Sequence, residues 1–128
     1  MSSGPASADK SDVVGTVLSG VCMVHCVSTP VLVTAAPAAA SVLGGFHPVL
    51  LGGVALVGLW AFWPGFRRHR RPEVLVLAVA GFALLALAAL AFEESVLETV
   101  LSLGGAALMM GAHLRNRALS NAARHAPA

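Results

Sequence analysis

Four long apolar runs alternate with short polar breaks along the 128-residue chain. They extend from about Val13 to Pro37, Phe46 to Trp63, Val74 to Phe92 and Val96 to about Leu114. Each approaches the roughly 20 residues with which an α-helix crosses a bilayer. The second and fourth are slightly short, which local thinning of the bilayer or extension into the flanks accommodates. Gly44-Gly45-Phe46-His47-Pro48 reads as a turn, Pro64-Gly65 as the end of the second helix, and Glu93-Glu94-Ser95 as the break before the fourth. The pattern predicts an all-α membrane protein, a bundle of four transmembrane helices within residues 13–116. A disordered cytoplasmic tail is expected over 1–12 and a short cytoplasmic tail over 117–128, since both are small and polar. The first dozen residues lack the basic start and clean cleavage signal of a signal peptide.

Composition supports the membrane reading. The chain is 57% hydrophobic and 11% charged, against about 25% charged in soluble domains. Every lysine and arginine falls in one of three places: Lys10, the cluster Arg67, Arg68, Arg70 and Arg71, and the closing Arg115, Arg117 and Arg124. With four spans these share one side, which the positive-inside rule makes cytoplasmic, so both termini are expected there. The other two loops carry only His47 and the acidic Glu93 and Glu94. The arginine cluster lacks the interleaved aromatics of a nucleic-acid surface, so the expected surroundings are the lipid bilayer and no nucleic acid. Trp60 and Trp63 suit the inner interface. Gly20, Gly52, Gly53, Gly58, Gly81, Gly104 and Gly105 are candidate points of close helix contact.

The sharpest chemistry lies in the first span. Cys22, His25 and Cys26 include both cysteines of the chain. At about 100° per residue the three side chains share an arc of roughly 100°, which also takes in Gly15, Ser19 and Thr29. That face is small and polar while the rest is Val, Leu and Met, so it should point at protein. Thiols one turn apart on one helix make a poor disulfide, and they read as free. Thiolate suits thiophilic metals and imidazole is a borderline partner, so Cys22, His25 and Cys26 form a candidate metal site. The plainer alternative is two small hydrophobic thiols and a histidine bonded to a neighbouring helix. Pro30 removes an N–H that the Cys26 carbonyl would otherwise use, which would widen the wall beside the thiols.

A second polar stripe runs along the fourth span. Measured from Glu98, residues Glu94, Ser102, Gly105, Met109 and Asn116 lie within about 40° and His113 within about 60°. Glu94, Glu98 and His113 read either as further ligands and relay points or as interfacial residues at the two rims. His47, at the outer start of the second span, reads as a capture ligand or as an exposed loop histidine. His69 and His125 belong to the cationic loop and tail and receive no role. No phosphate-binding loop, Ser/His/Asp set or redox Cys-x-x-Cys is present, so no enzyme is expected.

These residues resemble a known family, the MerC-like inner-membrane proteins of bacterial mercury resistance and their short relatives. The resemblance rests on Leu18-Ser19-Gly20-Val21-Cys22-Met23-Val24-His25-Cys26 with Thr29-Pro30, then His47 and Phe66-Arg67-Arg68-His69-Arg70. The closing Gly104 and His113-Leu114-Arg115-Asn116-Arg117 complete it. It implies a multi-pass protein of the bacterial inner membrane. It further implies uptake of Hg(II), or another thiophilic ion, through Cys22 and Cys26, with release to a cytoplasmic thiol acceptor. The best-known mercury transporters carry further cysteines in the cytoplasmic tail, and residues 117–128 carry none. Zinc or copper transport stays open for the short relatives, with His25, His47 or Glu98 filling extra positions. No permanently bound cofactor is implied, since the metal is cargo.

Three readings follow from these residues. A transporter would pass the ion from the acidic outer face, through the thiols, to the His113 end. A membrane sensor or buffer would hold the ion on the same cysteines without a continuous polar route. A structural subunit of a larger complex would need neither. Four short helices can enclose one site, whereas a pore would call for a homo-oligomer.

Overall fold

A computed structural model of the chain describes residues 5–38, 46–92 and 95–125. Four helices account for nearly all of them: α1 (Pro5–Ala35), α2 (His47–His69), α3 (Pro72–Ala91) and α4 (Val96–His125). Each contains a stretch long and apolar enough to cross a membrane, and no strand occurs among the described residues. The four-helix membrane bundle expected from the hydrophobic pattern is therefore present.

The polarity of the bundle is that of a protein in lipid. On α1 the outward residues are valines, Val17, Val21, Val24 and Val31 among them, each at least half exposed. The buried face of the same helix carries Ser11, Asp12, Ser19, Cys22 and Cys26. Hydroxyls on and near this face turn back onto their own helix: Ser19 Oγ donates to the Gly15 carbonyl at 2.9 Å and Thr29 Oγ1 to that of His25 at 2.8 Å. Such bonds satisfy small polar groups without a partner helix.

Close backbone contact holds α3 to α4. A Cβ on Gly81 would stand 2.9 Å from the Gly105 carbonyl oxygen, and one on Gly105 2.8 Å from that of Gly81. The two helices pack main chain to main chain there, as small residues permit in lipid. Among the other expected contact glycines, Gly20, Gly53 and Gly104 each meet only a side-chain tip at 3.8 Å, and Gly58 meets Phe62 and Met109 at ordinary distance. Gly52 has nothing within 4 Å.

Three boundaries differ from the sequence expectation. Residues 5–12 do not form a disordered tail; they are the first turns of α1, and Asp12 is 1% exposed. Pro5 at the helix start and a run of Ala, Ser and Lys tolerate helix, and Asp12 is held by partners on α4. Residues 117–125 likewise continue α4, with Ser120 buried and Arg117 paired to Asp9 at 2.6 Å. Pro64-Gly65 does not end α2, which runs on to His69. A mid-helix proline leaves one carbonyl unserved, which membrane helices accommodate. The helix stops instead at Arg70, whose left-handed conformation (φ 50°, ψ 31°) lets its N–H reach the Phe66 carbonyl at 2.8 Å. Arg71 is extended, as a residue before proline must be, and Pro72 opens α3.

Candidate functional site

Cys22 and Cys26 are free thiols, 5% and 6% exposed. They line a cavity of ≈ 30 Å³ to which all four helices contribute. Cys22, His25 and Cys26 come from α1, Leu50, Leu51 and Val54 from α2, Leu85 and Ala89 from α3, and Ser102 from α4. That volume holds a water-sized species or a single ion. The two thiols stand one turn apart on α1, and the Ser102 hydroxyl lines the cavity with them. Glu98 lies one turn along α4 from Ser102, on the same face. Ser95 opens α4 as its N-cap: its hydroxyl accepts the Glu98 N–H at 3.1 Å and donates to the Phe92 carbonyl at 2.7 Å. The polar faces of α1 and α4 therefore meet at the thiols.

His25 is half-buried and lines the same cavity. Among the described residues, no three His, Cys, Asp or Glu side chains stand close enough to hold one metal ion together. What the cavity does bring together is the thiol pair with the Ser102 hydroxyl beside it and His25 on its wall. The side chain of His47, which opens α2, and all of Glu94 lie outside the described residues. Their candidacy as ligands is untouched by the structure.

His113 belongs elsewhere. It is 1% exposed, stacks on Phe62 at a centroid distance of 4.4 Å, and donates from Nδ1 to Asp12 Oδ1 at 3.1 Å. It is no rim histidine. Asn116 donates from Nδ2 to both oxygens of Asp12, at 3.0 and 2.8 Å, and to the Ala61 carbonyl at 3.3 Å. Its Oδ1 accepts from His69 Nε2 at 2.9 Å, while His69 Nδ1 accepts the Arg71 N–H at 3.0 Å. The chain of bonds ties α1, the end of α2 and α4 at one end of the bundle.

Two glycines make this possible. A Cβ on Gly15 would collide with the His113 ring, and one on Gly65 with the Asn116 amide. Sequence reading missed Asp12, His69, Asn116 and Gly65 as partners in one cluster. Asp12 could have been found by continuing the thiol face one turn beyond Gly15 toward the N-terminus.

Between the two clusters the seam is mostly closed. On α1 it holds Gly15 and buried Ser19; on α4 it holds Gly105, Ala106, Met109 and Ala112, all buried. Ser102 and His113 are separated along α4 by about 16 Å at ~1.5 Å per residue. The polar ribbon expected along the fourth span is therefore interrupted by an apolar stretch. Residues 12–118 match the family described as MerC mercury resistance protein. No curated protein and no solved structure matches the chain.

Proposed function

The chain belongs to the MerC mercury resistance family, and on that premise we propose that it takes up Hg(II) across the bacterial inner membrane through Cys22 and Cys26. The observation that carries this reading is the pair of buried thiols lining one small cavity of single-ion size. Hg(II) is soft and satisfied by two sulfurs, whereas zinc asks for about four ligands in a tetrahedron. Cu(I) shares the preference for soft thiolates and is the nearer competitor. Binding replaces two S–H bonds by two S–Hg bonds and frees two protons. Release to two cytoplasmic thiols reverses that exchange, each incoming thiol returning one proton to Cys22 or Cys26.

Glu98 sits beside the cavity on the side that the charge distribution makes external, and it would draw a cation toward Cys26. The Asp12–His113–Asn116 cluster closes the other end, so inward release requires α1 and α4 to part there. That closure also favours a second reading, a membrane buffer that holds the ion without passing it on. Both readings need the thiols. Titrating the purified, reduced protein with Hg(II), Zn(II) and Cu(I) tests them. One Hg(II) per chain, bound far more tightly than Zn(II) and lost in Cys22→Ser/Cys26→Ser, is expected. Equal binding by the double variant would remove the metal from α1.

A further inference from the structure

Between them α2 and α3 leave a groove of ≈ 420 Å³ whose lining is almost wholly apolar. Phe62, Ala78 and Met109 lie in its floor and are buried, while Leu59, Trp63 and Val79 on its rim are 70%, 67% and 68% exposed. Along α2 it reaches from Val54 to Phe66, about 18 Å at ~1.5 Å per residue. That is close to one leaflet of a hydrocarbon core about 30 Å thick. The groove therefore has the length of an acyl chain within a single leaflet.

Its end is charged. Arg67 follows Trp63 by one turn of α2, Arg70 caps that helix with its N–H on the Phe66 carbonyl, and Arg71 immediately precedes Pro72 at the start of α3. Trp63, Phe66 and Leu75 all line the groove. Arg67, Arg70 and Arg71 are exposed, and none forms an ion pair among the described residues. Arg68 differs: it continues the Ala61–Gly65 face that packs on α4, and its Nη1 is buried. Three of the four loop arginines are thus exposed in and beside the turn that joins the two groove helices, whereas the Nη1 of the fourth is buried.

We propose that the α2–α3 groove and Arg67, Arg70 and Arg71 form a binding site for an anionic phospholipid, acyl chain in the groove and headgroup phosphate on the guanidiniums. Guanidinium matches a phosphate through paired N–H donors. Basic clusters at the cytoplasmic ends of membrane helices are where anionic headgroups gather. Positive-inside topology alone asks only for charge in this loop; it does not ask for three exposed arginines in and beside the turn between two groove-forming helices with the fourth partly buried. The groove shares only Val54 with the lining of the thiol cavity, and the proposal does not depend on the ion carried.

The test is native mass spectrometry of the detergent-purified full chain with phosphatidylglycerol and phosphatidylcholine of identical acyl chains. One phosphatidylglycerol per chain should be retained in preference to phosphatidylcholine. Arg67→Gln should weaken that retention by about fivefold, the effect of one arginine near an anionic surface, while Arg68→Gln should leave it unchanged. Ala55→Phe, which fills the groove from a half-buried position, should lower retention of both lipids. Equal retention of the two lipids, or equal effects of Arg67→Gln and Arg68→Gln, would overturn the site. So would lipid-free dimers that Ala55→Phe dissociates, which would give the groove to a second copy. Hg(II) titration of the same samples should be unchanged by all three substitutions, which keeps a failure here separate from a failure at the thiols.

Discussion

Asp12 accepts three hydrogen bonds from α4 at a depth where an unpaired carboxylate would be costly. Its neighbours are built around it, down to two glycines that leave room for the His113 ring and the Asn116 amide. Removing one partner of such a set strands the others, at about 3 kcal/mol. Asp12→Ala should therefore lower the thermal midpoint of the detergent-solubilised protein well below that of Asp12→Asn, which keeps the shape and one acceptor oxygen. Equal loss in the two would mean that shape contributes nothing. At the other cluster, Ser102 is the only hydroxyl of α4 lining the thiol cavity. Ser102→Ala should weaken Hg(II) binding by about fivefold, as loss of roughly 1 kcal/mol of hydrogen bonding implies, and should leave the stoichiometry at one. An unchanged affinity would make Ser102 a packing residue.

At the level of the helix, much was legible in the chain itself. The apolar runs located all four spans, because lipid imposes continuous hydrophobicity over a set length. The face of α1 that carries Gly15, Ser19, Cys22 and Cys26 is the buried face, since the large exposed apolar side chains of that helix are its valines. What escaped reading depends on partners far away in sequence. Asp12 and His113 stand 101 residues apart, and nothing local marks a serine- and alanine-rich stretch as the start of a helix. Pro64-Gly65 misled for a related reason. A proline-glycine pair ends helices in water, yet here Gly65 is required inside α2 because Asn116 rests on it. Glycine content was likewise ambiguous until contacts were known. Gly105→Ala should destabilise the bundle by about 1–3 kcal/mol, since its Cβ meets backbone that cannot rotate away. Gly111→Ala, with nothing within 4 Å, should be neutral or slightly stabilising. Matching losses from the two substitutions in a thermal melt would contradict the α3–α4 contact.

For the molecule as a whole, the thiol cavity draws on all four helices, and the inner-end cluster ties three of them. On the proposed function, an ion held at Cys22 and Cys26 would sit between Glu98 on one side and a closed polar latch at Asp12, His113 and Asn116 on the other. The latch gives transport a specific requirement, the parting of α1 from α4, and gives a buffer no reason to open. Hg(II) uptake into sealed vesicles loaded with glutathione separates the two most directly. The account predicts thiol-trapped Hg(II) accumulating inside vesicles that carry the wild-type chain, and accumulation at the level of protein-free vesicles for Cys22→Ser/Cys26→Ser. Accumulation that survives loss of both thiols, or tight binding by the wild type with none of the ion reaching the interior, would contradict it.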